Sequence, residues 1–264
     1  MDIQPESLTP SSAAVPILRA WQSPGICHGF IGRRGGVSVG EFASMNLSYR
    51  VGDDKSAVDA NWRRLRREVP ALRLVARMNQ VHGSVVHAVT RETAALRPAG
   101  DGMVTSEAGV MIGIFTADCV PLLITDANRR IAGAFHAGWR GAIADIAKAG
   151  VDSMTRLGAR VGDLQAAMGP SIGACCFEVD AALAEQFVRE IPGAAEHTRA
   201  GRTGKAYLDL RAIVKRQLVR AGLAPENVVS VGPCTRCAHG QFFSRRAAGG
   251  KTTGLQMSFV GFNE

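Results

Sequence analysis

Cys119 and His136 stand at the two open ends of one predicted hairpin, where they could share a metal or where the imidazole could activate the thiol. Cys119 precedes the apolar run 120–125 and His136 follows the run 131–135, with the turn-forming Asp126-Ala127-Asn128-Arg129 between them. A two-residue loop at Ala127-Asn128 would set Asp126 against Arg129 and, counting outward, Cys119 against His136. Directly opposed residues carry Cβ atoms about 4.5 to 5.5 Å apart, within reach of one ion. A metal needs a third ligand, and Asn79-Gln80-Val81-His82-Gly83 offers His82 where a loop enters the predicted strand 84–89. One cysteine and two histidines with a fourth position open make a catalytic zinc set; three separately packed side chains are the plain alternative.

Neighbouring residues extend the chemistry. Asp118 should point away from Cys119 on an extended backbone and cap the loop, whereas a bulge would let it orient an imidazole or accept a proton. After His136 the chain runs through Gly138-Trp139-Arg140-Gly141 into a helix N-terminus. Free N–H groups and the Arg140 guanidinium there suit an anion, unless Arg140 is simply solvated. Arg33, Arg34, Arg245 and Arg246 could add charge to the same ligand. Cys234-Thr235-Arg236-Cys237 with His239 reads as half a zinc ribbon without a second CxxC at matching spacing. Cys175-Cys176 completes it only if the two loops meet; otherwise these are packed thiols.

The elements that must hold these residues mix helix and strand. Helices are expected over 56–68, from near Arg140 through Met154, after the cap Asp180 to about 190, and after the cap Asp209 to Gly222. Strands are expected from Ile26 into the glycine turn before Val37, then at 72–78, 84–89, 110–115, 164–168, 228–231 and 257–260. Without a regular βαβ alternation this is an α+β or layered sandwich. The 30 glycines favour tight turns and close backbone approaches. No linker or repeat divides residues 16–264, which read as a single catalytic domain behind a flexible arm at residues 1–15, rich in Ser, Pro and Ala.

Composition narrows the partners. Lys plus Arg number 31 against 23 Asp plus Glu, and the resulting charge of +8 favours an anionic ligand. The basic residues are scattered, and two tyrosines and three tryptophans leave little material for stacking bases. A small phosphorylated or nucleotide-like ligand is therefore expected ahead of nucleic acid. No run approaches the ~18 apolar residues of a spanning helix, and the N-terminus lacks a signal pattern. The expected location is the cytoplasm, with six reduced cysteines and no membrane partner.

Together, HGFIGRRGGVS at 28–38, NQVHG at 79–83, TADC at 116–119, HAGWRG at 136–141, GPSIGACCFEV at 169–179 and FFSRR at 242–246 closely resemble the YfiH family. That family is also called the polyphenol oxidase or laccase-domain family, and peptidoglycan editing factor. The blocks occur in the family's order and span nearly the whole chain. The resemblance implies an α+β fold, a four-layer α-β-β-α sandwich with mixed sheets, and zinc, or less readily copper, on His82, Cys119 and His136. Cys119, Asp118 and His136 are the expected catalytic residues. Arg33, Gln80, Arg140, Ser244 and Arg245 are the expected substrate-binding residues. One departure is visible: the family usually has Gly-Arg where this chain reads Gly254-Leu255.

Two activities are implied. Members are described as purine nucleoside phosphorylases acting on adenosine, inosine and methylthioadenosine, with adenosine deaminase activity, which makes nucleoside and phosphate the partners. Others remove L-serine misincorporated into UDP-MurNAc peptidoglycan precursors, so the alternative is an amidase on a UDP-linked sugar. A zinc-stabilised binding protein without activity is the third reading. A multicopper laccase mechanism is excluded, since it needs about ten histidines in His-x-His pairs. This chain has six histidines and no such pair.

Overall fold

The computed structural model describes residues 15–22 and 24–264. The arm expected at 1–15 lies outside the described residues except for Val15, which is buried in the same core cluster as Ile31 and Phe259. In chain order the first elements are β1 (Ile17–Leu18), β2 (Ile26–Ile31), α1 (Lys55–Glu68), β3 (Val75–Ala76), β4 (Val86–Ala88), β5 (Gly102–Thr105) and β6 (Met111–Thr116). Then come β7 (Val120–Asp126), β8 (Ile131–Ala137), α2 (Trp139–Ile143), α3 (Ile146–Arg156), β9 (Gln165–Met168), β10 (Glu178–Asp180) and α4 (Ala181–Glu190). Last are β11 (Thr198–Ala200), β12 (Lys205–Leu208), α5 (Leu210–Arg220), β13 (Val228–Ser230) and β14 (Gln256–Phe262).

Two mixed sheets stack face to face, one ordered β1-β2-β14-β6-β3 and the other β13-β9-β7-β8-β5-β4. The layering follows from residue parity. In β14, Met257 and Phe259 pack outward with Val58, Trp62 and Leu65 of α1, whereas Val260 and Phe262 face the second sheet. In β7, Leu123 faces the first sheet, whereas Leu122 and Ile124 meet Val151 of α3, Phe187 of α4 and Ile213 of α5. Because both faces of both sheets are covered, the central strands read as unbroken apolar runs rather than alternating ones. The result is the expected α-β-β-α sandwich, with a small third sheet, β10-β12-β11, adding Val179 and Leu208 to the helical side.

The central hairpin differs from its sequence reading in register. Asp126 pairs with Ile131, so the connection has four residues, not two, and His136 lies opposite Pro121 instead of Cys119. The turn is held by the Asp126 carboxylate accepting from Arg129 N at 3.0 Å, with Arg130 at φ 53°. A slip of two residues preserves side-chain parity, so Cys119 and His136 still project from the same face. The expected helix after Arg140 is also two helices. Asp145, at φ 52°, interrupts it and caps α3 by accepting from Lys148 N. The strand expected over 72–78 shrinks to β3, because Pro70 starts a 3-10 turn over Pro70–Arg73.

β8 is seated by its aromatic neighbour. The Phe135 ring is surrounded by Gly102, Gly133 and Gly150, where an added Cβ would lie 2.7, 2.6 and 2.7 Å from its carbons. Three glycines thus let one ring sink into the helix-facing core, and the next residue, His136, must point the other way.

Candidate active site

His82, Cys119 and His136 converge, with one potential ligand atom from each lying within 4.8 Å of the others. Each comes from a different kind of backbone. His136 is the penultimate residue of β8 and is buried; Cys119 sits one residue before β7; His82 lies in an exposed loop at φ 63°. The two imidazoles meet edge to face with centroids 4.8 Å apart.

One fully buried carboxylate, Asp101, organises both histidines. Its Oδ1 is 2.7 Å from His136 Nδ1 and accepts from His82 N at 2.9 Å, while Oδ2 accepts from Gly83 N at 2.6 Å and Val81 N at 3.2 Å. The Asp101 carbonyl also accepts from His136 N at 2.7 Å. These bonds hold His82 in a backbone region that costs a non-glycine residue of order 1 kcal/mol or more. With Nδ1 of His136 given to Asp101, Nε2 is left to face the cavity.

Charge follows the same geometry. Burial pushes the Cys119 thiol up, but the charge and hydrogen bond of His136, with help from His82, outweigh it and bring the thiol down to about 6. Burial likewise pushes His136 down, and Cys119 and Asp101 reverse this to about 9. Asp101 is held below the usual carboxylate range: burial opposes this, but the bonds from His136, Gly83 and His82 prevail.

The donor set suits a metal. A soft thiolate and two imidazoles suit zinc, and the set leaves a fourth position open. Gly138 provides the clearance, because a Cβ there would lie 3.2 Å from both Cys119 Sγ and His82 Cδ2. Its φ of −75° would suit any residue, so here glycine is needed for space alone.

The triad opens into a cavity of about 470 Å³. Arg50, Arg77, Arg97 and Arg245 line it, and among the described residues no carboxylate does. Burial and then the Arg97 charge hold the Arg77 guanidinium below its usual pKa, a repulsion that a bound anion would relieve. Leu47, Met78, Phe115 and Leu255 supply apolar wall. Thr116, also on the wall, has a buried hydroxyl with no hydrogen-bond partner.

The remaining expected residues divide. Gln80 lines the cavity, its amide donating to Phe115 O and accepting from Phe115 N, both at 2.8 Å; Arg245 lines it too. Arg33, Arg140 and Ser244 do not. Arg33 donates to Ala43 O and His239 O, Arg140 lies exposed 4.1 Å above the Trp139 ring, and the Ser244 hydroxyl caps Ala247 N. Asp118, at φ 91°, accepts from Thr235 Oγ1 at 2.6 Å and Arg246 N at 2.7 Å, the loop-capping arrangement. Sequence reading missed Asp101 and the Arg50, Arg77 and Arg97 cluster. The flanking glycines of Gly100-Asp101-Gly102, the second of which opens the buried strand β5, were the one available signal for Asp101.

Comparison with known proteins adds context to this geometry. The family model described as "Multi-copper polyphenol oxidoreductase laccase" matches residues 27–263. Adenosine deaminase RL5 of an unknown prokaryotic organism is 45% identical over 150 residues, 56% of this chain; in that match the chain spans only 57% of RL5. Purine nucleoside phosphorylase YlmD of Geobacillus stearothermophilus is 35% identical over 252 residues, covering 91% of each chain. Among solved structures, Bacillus licheniformis hypothetical protein YfiH superposes with a TM-score of 0.85 at 30% identity, covering 90% of this chain and 93% of its own.

Proposed function

The chain belongs to the laccase-like YfiH family described as multi-copper polyphenol oxidoreductase laccase, and on that premise we propose that it is a zinc-dependent purine nucleoside phosphorylase. Its substrates are adenosine, inosine and methylthioadenosine, and it also deaminates adenosine. The single observation that carries this reading is a His-Cys-His cluster opening into a cavity lined by four guanidiniums and, among the described residues, by no carboxylate. Names of relatives support it: YlmD for the phosphorylase and RL5 for the deaminase.

In this reading His82, Cys119 and His136 hold the metal, and Asp101 fixes the His136 tautomer. Zinc held there would supply Lewis acidity, lowering the pKa of an attacking water or orienting a phosphate oxygen. Arg50, Arg77, Arg97 and Arg245 bind and orient phosphate, since forked guanidiniums match its oxygens. Phe115, Met78 and Leu47 pack against the purine, and the unpaired Thr116 hydroxyl bonds to ribose or base. In phosphorolysis a phosphate oxygen forms the bond to C1′ as the glycosidic C–N bond breaks, and the purine nitrogen takes the electron pair and a proton. In deamination water adds at C6 and ammonia leaves. Asp118 keeps the Cys119 loop in place through Thr235 and Arg246. Residues 16–264 act as one catalytic domain.

The location proposed is the cytoplasm. All six cysteines are free thiols, and among the described residues no helix is long and apolar enough to cross a membrane.

Metal-replete protein incubated with adenosine and phosphate should release adenine and ribose 1-phosphate, and with adenosine alone should release ammonia. Parallel incubation with a UDP-MurNAc-L-serine precursor tests the amidase reading. Serine release there with no base release from nucleosides would transfer the site to that reaction. Metal analysis separates zinc from copper, to which a His-Cys-His set can also bind.

A further inference from the structure

Cys175 and Cys176 leave the end of β9, and Cys234 and Cys237 leave the same end of β13. These strands pair in parallel, Ala166 with Val228 and Met168 with Ser230, so their outgoing loops emerge side by side. The pairing continues into the loops: Ser171 bridges Cys234, and Thr235 N donates to Ser171 O at 3.0 Å. Topology thereby supplies the meeting of loops that spacing could not show.

All four sulfurs lie within 4.8 Å of one another. Cys237 Sγ is 3.4 Å from Cys176 Sγ and 3.7 Å from Cys175 Sγ. Sulfurs bonded at about 2.3 Å to one tetrahedral ion are about 3.8 Å apart, whereas a disulfide requires about 2.0 Å. The spacing is that of ligands around an ion, and all four are free thiols.

The surroundings complement such an ion. Gly173 N donates to Cys234 Sγ at 3.2 Å, and a Cβ on Gly173 would lie 3.4 Å from Cys175 Sγ. Four thiolates around a divalent cation carry net negative charge. Arg236 donates to Cys176 Sγ at 3.5 Å, and Arg211 straps the two loops by donating to Ser171 O at 2.7 Å and Pro233 O at 2.8 Å. His239 is not part of the cluster; its Nδ1 contacts Arg236 O. No oxygen ligand enters the set, which favours zinc or a similar soft cation over magnesium or calcium.

We propose that Cys175, Cys176, Cys234 and Cys237 form a second metal site, a closed four-thiolate zinc centre with a structural role. Each thiol that binds releases its proton to solvent. The ion clamps loop 169–177 to loop 231–246. That second loop carries Thr235 and Arg246, which hold Asp118 beside Cys119, and Arg245 on the cavity wall. The clamp therefore shapes the candidate active site without contacting substrate, and its residues are separate from the His82, Cys119 and His136 set.

Native mass spectrometry and elemental analysis of the full chain, reduced and zinc-replete, test this. Wild type should carry one ion for each of the two clusters. Cys119→Ser should keep the four-thiolate ion, and cobalt exchanged into that variant should give strong sulfur-to-cobalt charge-transfer absorption. Cys237→Ser should lose one ion. A readout on wild type guards against a misfolded variant: Cys175 and Cys237 are exposed, yet zinc should protect them from iodoacetamide until a chelator is added. Free alkylation of both in zinc-replete protein, a Cys119→Ser chain that takes up no zinc, or a mass showing a disulfide among the four would overturn the proposal.

Discussion

Asp101 Oδ1 lies 2.7 Å from His136 Nδ1 with both side chains buried, and the same carboxylate collects the N–H groups of Val81, His82 and Gly83. One side chain thus sets the orientation of one histidine and the backbone of the other. Asp101→Asn keeps the size but loses the charge and one acceptor. Zinc affinity, measured by competition with a chelator, should fall roughly 10- to 100-fold. Unchanged affinity would remove Asp101 from the account.

Gly138→Ala tests the clearance around the triad. The added Cβ meets Cys119 Sγ and His82 Cδ2 at 3.2 Å, closer than most such contacts, while the backbone accepts alanine without strain. Zinc affinity should drop about tenfold, some 1.4 kcal/mol, with little change in Tm. A large fall in Tm with zinc binding intact would mean that Gly138 serves the fold instead.

Arg77 and Arg245 reach the cavity from segments far apart in sequence. Replacing either by Ala should raise KM for phosphate roughly tenfold, by loss of a charge-assisted hydrogen bond. KM for the nucleoside should move much less. Steady-state kinetics with each substrate varied in turn would separate the two, and an equal rise in both would deny a phosphate role.

His28 predicts an acid limb in stability. Burial first, and then the Arg19 charge, pushes its pKa from 6.5 to about 4. Its Nε2 accepts from Ala20 N and Trp21 N, which fixes the neutral ring. Between these values the unfolded chain binds the proton and the folded chain does not, so stability is full above about 6.5 and falls as pH drops toward 4. The slope is at most about 1.4 kcal/mol per pH unit. Urea unfolding of His28→Gln across that range should show a shallower acid limb than wild type; parallel curves would contradict it.

What the sequence made legible was set by the range of the interactions. Cys119 and His136 could be placed together because a hairpin is local, and the wrong turn length did no harm since a slip of two residues keeps both on one face. His82 could be offered as the third ligand from its place before a strand, and the family motifs strengthened that choice, because nothing in the spacing says that its loop meets the end of β8. Asp101 escaped notice for a related reason: its role is to accept backbone N–H groups, which leaves no residue pattern. Arg50, Arg77 and Arg97 belong to a scattered set of basic residues in the sequence, and folding brings all three to the lining of one cavity. That the Cys175 and Cys234 loops meet could be seen only by knowing that β9 and β13 run in parallel.

The central claim is that zinc on His82, Cys119 and His136 supports phosphorolysis of purine nucleosides. The most direct measurement is ribose 1-phosphate formed from adenosine and phosphate as zinc is titrated into metal-stripped wild type and His82→Ala. Product should rise with zinc occupancy in wild type and stay near background in the variant. Wild type that binds zinc at the triad yet forms no ribose 1-phosphate would contradict the account.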